Sequence, residues 1–150
     1  MNSITGYRQA DVLKILPMLT KADLQNWVGR GTLRLDNPLA KPRVFSVRDL
    51  IALAAMWELR RQHIPPSAAA KIAAHAKTRS RSWHDGCRPC VFLIWWRGER
   101  LKCVTEYADQ VGKRLATNFH GAPAAVVTFH VDDVIEAVHM KREESCQVAA

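Results

Sequence analysis

No stretch of the chain approaches the run of about 20 apolar residues needed to cross a bilayer, because charge or proline interrupts every hydrophobic segment. The N-terminus, Met1-Asn2-Ser3-Ile4-Thr5-Gly6, lacks the basic start and apolar core of a secretory leader. The four cysteines (Cys87, Cys90, Cys103 and Cys146) are therefore expected to be reduced thiols in a soluble, cytoplasmic protein. Signatures of catalysis are also missing. The six histidines are scattered, and none sits in a nucleophile or His-Glu-x-x-His setting. Gly98 and Gly112 form no phosphate loop, and Asp132, Asp133 and Glu136 read as the acids that favour a helix N-terminus. These absences predict neither an enzyme nor a cofactor. There is no internal repeat, and 150 residues suffice for one medium domain or two small ones with a core that needs no cross-links.

What is present is an uneven charge. Residues 1 to 83 carry 14 Lys and Arg against 5 Asp and Glu, a net +9, whereas residues 84 to 150 carry 8 against 9, a net −1. A positive field confined to one half points to a module that binds a polyanion, joined to a part with another task.

The first helix is predicted from Gln9 to Leu16, closed by Pro17. Thr20 then reads as an N-cap with Asp23 three residues on, a short-armed capping box. Leu24, Trp27 and Val28 follow at helical spacing as one buried stripe, Gly29-Arg30-Gly31 ends the helix, and Lys21, Gln25, Asn26 and Arg30 face outward. Alternation in Leu33-Arg34-Leu35 and Arg43-Val44-Phe45 predicts a small β-hairpin around a basic loop. Ser46 with Asp49 repeats the capping pattern, starting a helix that runs to about Gln62. Ile64-Pro65-Pro66-Ser67 breaks it, and a helix with an alanine-rich face follows from Ala68 to Lys77.

A polar, basic segment from Thr78 to Ser82 marks the boundary, giving a first domain over residues 1–78, a linker over 79–86 and a second domain over 87–150. In that second domain Val91 to Trp96 and Leu101 to Val104 predict a hairpin across Arg97-Gly98-Glu99-Arg100. A helix from about Thr105 to Leu115, a strand from Ala125 to Val131, a helix from Asp132 to about Glu143 and a frayed end from Ser145 complete it. The fold class is α+β.

The order and spacing of three pieces resemble the MerR-type winged helix-turn-helix over roughly residues 5 to 77: Leu24-Gln25-Asn26-Trp27 with Gly31-Thr32-Leu33, then Arg43 to Leu50, then Leu59 to Pro65. Two departures stand out. Gln25 occupies the place where the family usually has arginine, and Trp83-His84-Asp85-Gly86 replaces the start of the family's long dimerisation helix. The metal or drug sensing of that family is therefore not carried over. The resemblance implies an N-terminal winged helix-turn-helix, mainly α with a β-hairpin wing, that binds double-stranded DNA as a bacterial or prophage transcription regulator. Excisionases and phage terminase small subunits share this kind of domain, and an adaptor that has lost DNA binding is a further alternative.

In such a domain the second helix enters the major groove. Gln25 and Asn26 suit bidentate pairing with adenine. Lys21 and Arg30 suit phosphates, and Thr20 adds a hydroxyl at the positive helix end. The wing brings Lys41 and Arg43. Arg48 stands in the next helix's first turn, where a cation opposes the dipole unless an anion compensates. Val91 to Trp96 is apolar on both faces; the local helices can cover one, and the other, including one of Trp95 and Trp96, should meet the first domain or a second subunit. A homodimer is expected because such modules usually act as pairs and the usual coiled coil is absent. His84, Cys87, Cys90 and Cys103 offer a zinc-like set, but no second metal-binding pair follows at finger spacing, so no metal is assigned.

Overall fold

The computed structural model describes residues 6–117 and 126–148. The protein is α+β, with six α-helices and a three-stranded antiparallel sheet among those residues. It divides into two compact units: the chain up to Ser82 together with Val134 onward, and Trp83–Asp133. The expected strand start at Ala125 lies outside the described residues.

In the first unit α1 spans Gln9–Ile15 and α2 spans Lys21–Leu24, continued by a π-helical turn over Gln25–Gly29. Thr20 caps α2 as the sequence predicts: its hydroxyl accepts the Asp23 N–H at 3.1 Å, and the Asp23 carboxylate accepts the Thr20 N–H at 2.9 Å. Leu24 and Trp27 are buried, and Gly31 leaves the helix with φ +73°, a left-handed conformation that a side chain would strain.

Helix α3 (Val47–Arg61) carries the core. Every residue from Asp49 to Met56 is buried, so the helix is surrounded by protein rather than amphipathic at the surface. Ser46 caps it with the same reciprocal pair of bonds to Asp49. Its other end is closed by His63, not by the prolines. His63 takes φ +62°, its N–H reaches the Arg60 carbonyl at 3.0 Å, the Ile64 N–H reaches Leu59 at 3.2 Å, and both Ile64 and Leu59 are buried. This is a Schellman ending, with its apolar contact, built on a histidine in place of glycine. Helix α4 (Pro66–Ser82) buries Ala69, Ala73 and Ala76, small side chains that let it pack closely against α3.

Two expectations fail in this unit. The hairpin is not formed: residues 32–44 are irregular, and the one pairing nearby is an isolated bridge between Tyr7 and Phe45. The alternation of Leu33, Leu35 and Phe45 is satisfied by burying each side chain separately. Phe45 spends its own N–H and carbonyl on Tyr7, at 2.8 Å each, and Pro38 and Pro42 have no N–H for a ladder. Nor does α4 end at Lys77, as residues 78–82 are helical too. Helix α4 runs on through them because neither glycine nor proline interrupts, and Thr78, Ser80 and Ser82 turn their hydroxyls onto the carbonyls of Ala74, Lys77 and Arg79.

The second unit is built on the sheet, in the order β2-β1-β3, from β1 (Cys90–Arg97), β2 (Arg100–Tyr107) and β3 (Val127–Phe129). The β1–β2 hairpin turns where the sequence predicts, with Gly98 at φ +62°. Strand β2 extends to Tyr107, displacing the helix expected from Thr105, because β1 begins at Cys90 and supplies a partner for each residue up to Tyr107. A 3₁₀ turn (Ala108–Gln110) and α5 (Val111–Thr117) follow. Helix α6 (Val131–Val148) starts at the end of this unit and belongs from Val134 onward to the first; it is longer than expected, and the end expected to fray from Ser145 is helical to Val148. It carries a buried stripe of Val131, Ile135 and Val138 at helical spacing.

Val91, Phe92, Leu93 and Ile94 are all at most 2% exposed, so both faces of β1 are covered within the single chain. Trp95 is half-buried and Trp96 exposed. No helix among the described residues is long and apolar enough to cross a membrane.

Candidate nucleic-acid interface

The first unit is held together beneath its surface by one ion cluster. The Lys77 ammonium, on α4, donates to Asp49 Oδ1 at 2.8 Å and to the Arg34 carbonyl at 3.3 Å, and lies 2.8 Å from Asp36 Oδ1. Lys77 and Asp49 are buried. Asp49 also accepts the N–H groups of Asp36 and Ser46, and the Ser46 hydroxyl donates to Asp36 at 2.6 Å. One lysine and two carboxylates thus fasten the irregular segment after α2 to both long helices. Partial burial alone would raise the Asp36 pKa, but the hydrogen bonds from Lys77 and Ser46 outweigh it and hold this carboxyl below its ordinary value.

Above this cluster lies an open groove of roughly 880 Å³ whose rim and walls carry Arg30, Arg34, Arg48, Lys71 and Lys77 against the single carboxylate of Asp36. Lys77 is matched by its two acids, whereas Arg30, Arg34, Arg48 and Lys71 form no salt bridge among the described residues. Thr32, Ser67 and Thr78 line the same groove. Arg48 is half-buried, and its Nε is enclosed with no hydrogen-bond partner among the described residues. Four cations outside any salt bridge, against one carboxylate that Lys77 already engages, leave a concave surface with an excess of positive charge that attracts an anion able to present several oxygens at once.

A second hollow, of roughly 580 Å³, shares Arg30 and Thr32 with the first and adds Asp23, Asn26, Trp27, Trp57, Arg60, Arg61 and Pro66. The Arg61 guanidinium sits over the Trp57 ring at 4.7 Å, and Arg60 is engaged with the Ile64 carbonyl at 2.7 Å.

The residues singled out from sequence are therefore split. Arg30 and Arg48 meet in the first groove, and Asn26 joins Arg30 in the second. Gln25 does not share a hollow with Asn26: its carboxamide lies over Gly29, in space that a Cβ there would fill. Lys21 is exposed on α2, Thr20 is committed as a cap acceptor, and Lys41 and Arg43 are exposed on the irregular loop, outside both hollows. Lys71, Lys77, Arg60 and Arg61 were missed. Lys71, Ala74, Lys77 and Thr78 fall at helical spacing, so one basic face of α4 could have been read from the sequence.

In the second unit charges pair locally. Arg88 meets Asp109 at 2.9 Å and stacks on Tyr107, and Arg114 meets Glu106 at 3.0 Å. The zinc-like set does not assemble: among the described residues no three His, Cys, Asp or Glu side chains are placed to hold a metal. Cys90 is buried, with its N–H donated to Asp132. Burial pushes the Cys103 thiol up to about 11, which leaves it a poor nucleophile. No protein-family model matches the chain, and no curated protein matches it either.

Proposed function

We propose that the first unit binds double-stranded DNA and that the protein is a transcription regulator of the bacterial or prophage kind, its DNA module being the MerR-like winged helix-turn-helix expected from the sequence. The observation that carries this reading is the groove in which Arg30, Arg34, Arg48 and Lys71 converge, none of them in a salt bridge among the described residues, with Asp36 the one carboxylate on its lining. A duplex backbone offers the regular row of oxygens that such a surface suits, and a phosphate near Arg48 supplies the anion that a cation at a helix N-terminus requires. Asn26 is then the side chain best placed for a base edge, with Lys21, Lys41 and Arg43 as flanking phosphate contacts. The irregular loop over residues 36–43 takes the part of the wing.

Titration of a labelled duplex at several salt concentrations tests the reading. With about four groove contacts the logarithm of affinity should fall with that of salt at a slope of roughly −3 to −4, so binding weakens on the order of 100-fold between 50 and 200 mM salt. A protein with no affinity for duplex at 50 mM salt would favour the adaptor reading instead.

A further inference from the structure

The most exposed large apolar side chain among the described residues is Leu39, at 87%, followed by Met140 at 55%. Leu39 sits at the tip of the irregular loop, with Asn37 and Pro38 exposed before it and Lys41, Pro42 and Arg43 exposed behind it. The loop is firmly held at both ends. On one side the Asp36 N–H and carboxylate are bound by Asp49 and Ser46. On the other the Arg8 guanidinium donates to the Pro42 carbonyl at 3.3 Å, and Phe45 is buried and bridged to Tyr7. An Ala40 N–H to Asn37 carbonyl bond of 3.4 Å closes the tip. A lone surface leucine is ordinary. A leucine held out on an anchored loop, between two prolines and beside two cations, is set to enter an apolar slot whose rim is anionic.

We infer that Leu39 is a wedge that enters a base-pair step of duplex DNA from the minor-groove side, partly unstacks it and bends the duplex, while Lys41 and Arg43 hold the phosphates on either side. This rests on the reading of the first unit as a DNA-binding module. The base step is the slot that fits: its interior is apolar, it is one side chain wide, and its rim carries phosphate, as wedge-inserting proteins exploit with aliphatic residues. A lipid surface fits less well, because a single leucine offers little apolar area to anchor on.

The test uses the full chain and a short duplex rich in TA steps, end-labelled for energy transfer and carrying 2-aminopurine beside the central step. The wild-type protein should shorten the end-to-end distance and brighten 2-aminopurine severalfold. Leu39→Ala should abolish both signals while keeping affinity within about tenfold, and Leu39→Phe should restore them. Lys41→Ala with Arg43→Ala should weaken binding at least as much as Leu39→Ala does. If the wild type binds without bending, or Leu39→Ala bends as well as the wild type, the wedge is refuted although DNA binding stands. Absence of any duplex binding refutes both. Leu39-dependent binding to phosphatidylglycerol vesicles with an unbent duplex would replace the wedge with a lipid contact.

Discussion

Replacing Lys77 by methionine should cost the protein about 3–5 kcal/mol of folding stability, the usual penalty for leaving a buried charge without its partner. Asp49 is 1% exposed, and in the variant its carboxylate would keep the two backbone N–H bonds and the cap of α3 but lose the one cation paired with it among the described residues. Urea unfolding followed by far-ultraviolet circular dichroism measures the loss, and a change below 1 kcal/mol would mean that the cluster adds little. The acid side gives an independent check. Asp36 has a folded pKa below its unfolded value, so its contribution is full above the ordinary carboxylate range and is lost as pH falls through the folded pKa. Because Lys77 is the main cause of that depression, the variant should show a shallower loss of stability on acidification than the wild type.

The second large effect concerns binding. Changing Arg30, Arg34, Arg48 and Lys71 together to glutamine should lower duplex affinity on the order of 1000-fold at 100 mM salt and flatten the salt slope by roughly 3 to 4, since each lost phosphate contact removes nearly one unit. The fold should survive, because Arg30, Arg34 and Lys71 are exposed and Arg48 is half-buried with no salt bridge. An unfolding midpoint close to that of the wild type, measured beside the anisotropy titration, separates lost contact from lost structure. A variant that binds as tightly as the wild type would move the interface elsewhere, to Lys21, Lys41 and Arg43 on the outer faces.

Much of this was legible in local chemistry. The two capping boxes, Thr20 with Asp23 and Ser46 with Asp49, needed only residues three apart, and both are formed with the bonds the sequence predicts. The turn at Gly98 and the apolar run of β1 were equally local. What failed depended on distant partners. Leu33, Leu35 and Phe45 alternate as a strand would, yet each is drawn separately into a core made by α3 and its neighbours, and the backbone of Phe45 goes to Tyr7, 38 positions away. Lys77 looked like the last residue of an alanine-rich helix, and only the fold brings Asp49 and Asp36 to it. The same holds for the candidate interface. Arg30 and Arg48 could be picked out one by one, but the convergence of Lys71 from α4 on them depends on how α3 and α4 pack.

The central claim, that duplex DNA occupies the groove above Lys77, is tested most directly by lysine footprinting. The full chain would be acetylated with and without saturating duplex and each lysine read by mass spectrometry. Lys71, exposed on the groove wall, should be protected several-fold, with weaker protection of Lys21 and Lys41, while Lys102 and Lys113 in the second unit react as before. Protection confined to Lys102 and Lys113, with Lys71 modified at its free rate under saturating duplex, would contradict the account.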